Sequence, residues 1–221
     1  IVNQEGESRY LLNKQNGLQD NNIIFPFLDN QGNLWLGENN GIDRVDFGYH
    51  SKQIYPDGDL KGTAYAAQIF RDKIFLGTSS GLYVAPWKGQ YSAFEYPHFR
   101  LVPQTEGQVW GLKVVEEKLY LGHHDGSFLW DDQNERITAI RRTQGTWGFL
   151  ELKKYPNYVV AGTYQGIDLY QNSDQGLVFV RRLTGLDESC RFLVEDDEGF
   201  LWMSHPYRGI FKITLSPNLD S

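Results

Sequence analysis

Short apolar runs recur along this chain, each bounded by Gly, Asn or Asp. Five of them align as equivalent segments: Leu34-Trp35-Leu36-Gly37, Ile74-Phe75-Leu76-Gly77, Leu119-Tyr120-Leu121-Gly122, Val159-Val160-Ala161-Gly162 and Leu201-Trp202-Met203-Ser204. Successive segments start 40, 45, 40 and 42 residues apart. Each is followed by a closing glycine: Gly41, Gly81, Gly126, Gly166 and Gly209. That glycine lies four residues after the small residue in four repeats and five in the last. Apolar runs this short, with turn residues at both ends, predict strands, since a helix would space its apolar positions at three and four. Asp29-Asn30-Gln31-Gly32 and Asp196-Asp197-Glu198-Gly199 predict hairpin turns in which the acid caps its own backbone and Gly takes the left-handed position. A period of 40 to 45 residues made of short strands fits four-stranded propeller blades.

The expected fold is therefore all-β: a β-propeller of about five four-stranded blades in one domain spanning 1–221, with repeats at approximately 8–50, 51–90, 91–133, 134–175 and 176–216. The run Ser8-Arg9-Tyr10-Leu11-Leu12 is placed to supply an outer strand beside Phe211-Lys212-Ile213-Thr214, which closes a five-blade ring and removes exposed edges. The alternative is an arc of a larger, seven-blade propeller.

Composition adds exclusions. Aromatic residues make up 14% of 221 residues, with 6 Trp and 23 Gly, which suits strands and tight turns. The net charge of −7 gives no basic footprint for nucleic acid, and it disfavours direct binding to an anionic membrane. No apolar run approaches membrane-spanning length, so no direct membrane insertion is expected. One cysteine, Cys190, excludes an intrachain disulfide and reads as a buried small hydrophobe. The opening Ile1-Val2-Asn3 is expected to be that of a mature or excised product, with any address signal elsewhere.

The run Phe27-Leu28-Asp29-Asn30-Gln31-Gly32-Asn33-Leu34-Trp35-Leu36-Gly37 with Gly41-Ile42-Asp43-Arg44 resembles the two-component regulator propeller repeat, and so does Glu195-Asp196-Asp197-Glu198-Gly199-Phe200-Leu201-Trp202. The lead-in Asn16-Gly17-Leu18-Gln19-Asp20-Asn21-Asn22 is similar to that family's interblade segment. The middle repeats keep the glycines and the register but lose the turn acid and the Trp. This resemblance implies the periplasmic sensor region of Bacteroidetes-type hybrid two-component systems and three-Tyr-domain regulators, many of them from glycan-degrading gut bacteria. It implies an oligosaccharide ligand, a homodimer, and as partners a three-Tyr β-sandwich and output domains outside this chain.

Counting from the glycines puts one residue per repeat near the start of the inner strand: Ile24, Tyr65, Trp110, Trp147 and Arg191. Aromatic faces at such positions can stack on sugar rings while an arginine bonds hydroxyls; the competing reading is that they plug the channel as core. The turns on the same face add His123, Tyr164, His205, Tyr207 and Arg208 as candidate ligand contacts. No metal or other cofactor is expected. His123-His124-Asp125 are adjacent and point apart, so they do not chelate one ion. Trp35 and Trp202 read as fillers of the wedge between blades. The acid pairs Glu116-Glu117 and Asp131-Asp132 are neighbours in sequence, whereas glycosidase carboxylates face each other across a substrate. The expectation is a non-enzymatic ligand sensor in signal transduction, with a propeller lyase or glycosidase, or a protein-interaction scaffold, as the alternatives.

Overall fold

The computed structural model describes residues 11–14, 17–45, 56, 62–89 and 97–221. The chain divides into two compact units, one of Ile1–Lys61 with Pro86–His98, the other of Gly62–Ala85 with Phe99–Ser221. Among the described residues no helix is long and apolar enough to cross a membrane.

The first unit holds a three-stranded antiparallel sheet of β1 (Ile23–Leu28), β2 (Leu34–Glu38) and β3 (Gly41–Val45), in that order. Its first hairpin is built on Asp29. The carboxylate accepts from the Gln31 and Asn33 amides, both at 2.9 Å, and Gly32 takes φ +85°. The other carboxylate oxygen accepts from the Trp35 indole N–H at 2.9 Å. Phe27 pairs with Trp35 across the hairpin, so a Trp at that place hangs over the turn. The last sheet repeats the device. Asp196 accepts from the Glu198 and Phe200 amides at 3.0 and 2.9 Å and from the Trp202 indole at 2.8 Å. Both tryptophans thus cap a turn carboxylate, where the sequence pointed to a wedge between blades. Trp35 is 37% exposed, and the Lys212 ammonium lies 5.2 Å from the Trp202 ring.

The second unit contains four antiparallel sheets. Strands β4 (Ala64–Phe70), β5 (Lys73–Thr78), β6 (Leu82–Pro86) and β7 (Arg100–Leu101) form the first of these. The next runs through β8 (Val109–Val115), β9 (Lys118–His123), β10 (Gly126–Asp131) and β11 (Arg136–Arg142). A third comprises β12 (Thr146–Glu151), β13 (Tyr158–Thr163), β14 (Gly166–Gln171) and β15 (Val178–Arg182). The last has three strands, β16 (Phe192–Glu195), β17 (Leu201–His205) and β18 (Gly209–Ile213). In this unit β4 lies against β8, β8 against β12 and β12 against β16.

Each core sits between two successive sheets, which is why the second strands read as continuous apolar runs. Phe75, Leu82, Leu119 and Leu121 fill the first space. Tyr120, Val159, Ala161 and Tyr170 fill the second, and Val160, Leu169, Leu201 and Met203 the third. Adjacent residues of one strand therefore serve opposite cores. The buried phenols are satisfied: Tyr120 Oη accepts from the Leu177 amide at 3.1 Å, and Tyr170 Oη meets Ser127 Oγ at 2.9 Å.

The glycine next to the end of β5, β9 and β13 is explained by close approach. A Cβ on Gly77 would lie 2.7 Å from the Val109 carbonyl, on Gly122 2.6 Å from that of Thr146, and on Gly162 2.1 Å from that of Cys190. In each case the obstacle is the backbone entering the next sheet, which cannot rotate away. Gly162→Ala is expected to cost about 1–3 kcal/mol through this overlap, read as a lower urea midpoint at unchanged m-value. An unchanged midpoint would mean that the sheets are free to separate at this point.

The fourth strands β7, β11 and β15 follow the strand that opens on the closing glycine, so the complete sheets run from 64 to 101, 109 to 142 and 146 to 182 instead of starting at 51, 91 and 134. These outer strands are largely exposed and carry little apolar signal. Among the described residues the first and last sheets have three strands each. The closing strand expected at 8–12 falls largely on residues outside those described.

The turn acids give the protein an acid limit. Hydrogen bonds from Trp35 and Asn33 hold Asp29 well below its ordinary 3.8, and the Trp202 indole does the same for Asp196. Burial alone would raise Asp132, but hydrogen bonds from Trp130, Lys73 and Arg71 outweigh it and lower it to about 2. A carboxylate depressed by folding stabilises the native state fully above its unfolded value and loses that contribution as pH falls through the native one. Unfolding monitored by circular dichroism is thus expected to become progressively easier below about pH 4. A midpoint that stays flat from pH 5 to pH 2 would contradict these assignments.

Candidate functional site

Four sequence-selected residues meet on the inner strands of the second unit. Tyr65, Trp110 and Trp147 each stand second in their strands, β4, β8 and β12, and Arg191 immediately precedes β16. The three aromatic positions share a local cause. Register shifts fall between Ala64 and Ala66, between Val109 and Gly111, and between Thr146 and Gly148. Each aromatic is the extra residue of a β-bulge, which leaves the ladder and re-aims its side chain. Ile24 occupies the same bulge position in the sheet of the first unit.

The rings form a ladder. Tyr65 lies 4.5 Å from Trp110 and Trp110 4.6 Å from Trp147, centroid to centroid, with tilted planes. The Arg191 guanidinium continues the row, 5.2 Å from the Trp147 ring and 5.7 Å from Phe192. Beside them opens a cleft of about 290 Å³, near the lower limit for ligand sites. Its wall includes Gly111, Gly148, Lys113, Phe149 and Leu193 as well as the ladder.

Other groups hold the ladder in place. The Trp110 indole donates to Tyr164 Oη at 2.9 Å, and the Trp147 indole donates to Ser189 Oγ at 3.1 Å. Tyr164 stacks 4.9 Å from Trp147 and meets His124 Nδ1 at 3.1 Å. Burial, only partly offset by the Trp110 hydrogen bond, raises the Tyr164 phenol above its ordinary value, so it remains a neutral hydroxyl. Tyr164 is therefore a support behind the cleft wall, and is not among the residues lining it.

The remaining candidates sit apart from the cleft wall. His123 is 2% exposed, its Nδ1 accepts from the Asp125 amide at 3.0 Å, and its Nε2 faces the Thr105 carbonyl at 3.3 Å. Both ring nitrogens serve the backbone, so a ligand-contacting role for His123 gives way to a turn-building one. His205 Nδ1 accepts from the Tyr207 and Arg208 amides, both at 3.0 Å, and its Nε2 lies 3.4 Å from Glu188. Arg208 pairs with the same Glu188, next to the Ser189 that holds Trp147. Tyr207 is 93% exposed and lies outside the cleft lining.

Burial lowers the His123 pKa below its ordinary 6.5, against the raising effect of the Thr105 carbonyl. Folding then favours the neutral ring. That contribution is present above pH 6.5 and is lost as pH falls towards the native value, because a protonated Nδ1 cannot accept from Asp125. His123→Asn is expected to flatten the stability profile in the window just below about pH 6.5. An unchanged slope in that window would remove His123 from the account.

Lys113, Gly111, Gly148, Phe192 and Ser189 were missed in the sequence reading. One signal could have found the glycines: Trp110-Gly111 and Trp147-Gly148 repeat the same dipeptide at the same bulge, with Tyr65-Ala66 as its third version. A Cβ on Gly148 meets nothing within 4 Å, so its missing side chain is part of the cleft's open space.

Neither a family model nor a curated protein matches the chain. Its fold is similar to that of an extracellular domain described as belonging to the hybrid two component system BT3049 of B. thetaiotaomicron, with a TM-score of 0.55 and 17% identity over 97% of this chain and 30% of that one. It is similar to the extracellular domain of the one component system BT4673 from the same organism, with a TM-score of 0.55 and 16% identity over 90% of this chain and 27% of that one. The WD40 β-propeller domain of Doa1 gives a TM-score of 0.50 and 12% identity over 89% of this chain and 62% of that one. The chain thus spans less than a third of the length of the two B. thetaiotaomicron domains. At these identities the likeness is one of fold: small antiparallel sheets of the propeller type.

Proposed function

We propose that this chain is part of the ligand-sensing, extracytoplasmic region of a signalling receptor of the two-component regulator propeller type. Its site is the cleft walled by Tyr65, Trp110, Trp147 and Arg191, and its ligand class is an oligosaccharide. The observation that carries this reading is three bulge-presented aromatic rings in one row, ending in a guanidinium, beside a cleft of about 290 Å³. Bulges aim side chains away from the ladder at functional positions, and aromatic faces bind the apolar faces of sugar rings. The fold likeness to the two B. thetaiotaomicron extracellular domains supports the location and the signalling role. The cleft wall consists of aromatic, glycine, aliphatic and cationic residues together with Cys190, and this supports binding over turnover. Glycoside cleavage calls for two carboxylates facing the bond.

Thermal unfolding against a saccharide panel tests the reading. A ligand at about 100 times its dissociation constant adds roughly 2.7 kcal/mol, which for a chain of this size is a rise of about 5–10 °C. Gly148→Leu should abolish the rise while leaving the unliganded midpoint in place, since Gly148 faces open space. A rise that survives Gly148→Leu would place the ligand elsewhere. Release of reducing ends on incubation would convert the reading to an enzyme.

A further inference from the structure

Resting on that reading, we infer that the ligand is acidic: a saccharide whose bound ring carries a carboxylate, as a uronic acid does. The argument is one of charge placement in the cleft. The residues lining it include two cations, Arg191 and Lys113, and no carboxylate. Lys113 is paired with Glu151 at 3.3 Å, which leaves Arg191 as the active charge. Among the described residues no ion pair engages the Arg191 guanidinium, although the same region pairs Arg208 with Glu188 and Arg182 with Asp168. Arg142 and Arg181 are likewise outside any ion pair among the described residues, and Arg191 differs from them in lining the cleft, 5.2 Å from the Trp147 ring and 5.7 Å from that of Phe192. Arginine offers a planar fork matched to a carboxylate, and among the described residues no carboxylate takes that fork at Arg191.

The polar inventory points the same way. Both indole N–H groups of the ladder are already used, by Tyr164 and Ser189, so Trp110 and Trp147 present faces and not donors. The Tyr65 hydroxyl has no hydrogen-bond partner among the described residues and remains for a ligand hydroxyl. The fitting occupant has a flat apolar face for the indoles, hydroxyls for Tyr65 and a carboxylate for Arg191. A cleft of about 290 Å³ holds a terminal ring or two more readily than a long chain, given the usual range of roughly 300–1,000 Å³ for ligand sites.

The test is a set of calorimetric titrations of the full 221-residue chain with trigalacturonate, the neutral galactose trimer and benzoate, at low and high salt. Trigalacturonate is expected to bind roughly tenfold or more tighter than the neutral trimer, as a charge-assisted contact allows. Added salt should narrow the gap, and Arg191→Gln should remove it while the thermal midpoint stays put. Equal affinity for the two trimers, both lost in Gly148→Leu, would overturn the acidic preference and leave the saccharide site standing. Benzoate binding as tightly as trigalacturonate would overturn the saccharide and keep only the carboxylate. No binding by any of the three at millimolar concentration would overturn both readings. A preference that persists in Arg191→Gln would take the role away from this residue.

Discussion

Asp168→Ala is expected to lower the unfolding free energy by about 3–5 kcal/mol. Asp168 is fully buried in β14, and each carboxylate oxygen receives one guanidinium: Arg141 Nε at 2.8 Å from β11 and Arg182 Nε at 2.8 Å from β15. The cluster thus joins strands of two successive sheets. Arg141 also lies 3.6 Å over the Phe179 ring, and Arg182 donates to Gln165 at 3.2 Å. Removing the carboxylate leaves two partly buried guanidinium groups facing each other, and Arg182 Nη2 already lacks a partner. Most of the loss comes from that stranded charge, more than from the attraction forgone. Asp168→Asn, which restores one acceptor, should fall between. Urea titration at neutral pH reads both, and a loss below about 1 kcal/mol for the alanine variant would show that the arginines find water or new partners without strain.

The largest functional effect is expected from Trp147→Ala. Trp147 is the hub of the ladder, stacked on Trp110 at 4.6 Å, on Tyr164 at 4.9 Å and beside Arg191 at 5.2 Å. Its loss removes one stacking face and the platform that orients the guanidinium. A central aromatic anchor of this kind contributes about 2–4 kcal/mol, which is roughly 30-fold to several-hundred-fold in affinity. Tyr65→Ala, at the far end of the row, should cost less because it touches Trp110 alone among the ladder members. Calorimetry of the two variants with the same saccharide decides the order. Equal losses would mean that the ligand lies along the whole row with no hub.

What the sequence made legible, and what it did not, follows from how each signal is encoded. The strand–glycine register was readable because backbone contact between sheets forbids a side chain at Gly77, Gly122 and Gly162, so the constraint is written in the sequence itself. The ladder positions were countable from those glycines because the bulges recur at one place in four of the five sheets. The outer strands β7 and β15 were harder to see. They are largely exposed, and their side chains alternate weakly. Trp35 and Trp202 were misread because an indole among apolar neighbours gives no sign that its N–H reaches back six residues to an aspartate. His123 looked like a surface contact in a polar turn, yet the chain folds it inward to hold Asp125 and Thr105. Lys113 carried no signal at all. It reaches the cleft only because it lies two residues beyond Gly111 on the same inner strand.

The most direct test of the account uses the six indole N–H groups as reporters. In a ¹H–¹⁵N spectrum of the chain, each Trp gives its own indole resonance, assignable by single Trp→Phe substitution. Titration with the saccharide that raises the thermal midpoint should move the Trp110 and Trp147 resonances together, saturating at one dissociation constant. Trp35, Trp130 and Trp202 are tied to Asp29, Asp132 and Asp196 and should stay in place. Shifts confined to Trp110 and Trp147 would make the ladder the sensing site. Shifts confined to the turn-capping tryptophans, with Trp110 and Trp147 unmoved at saturation, would contradict it.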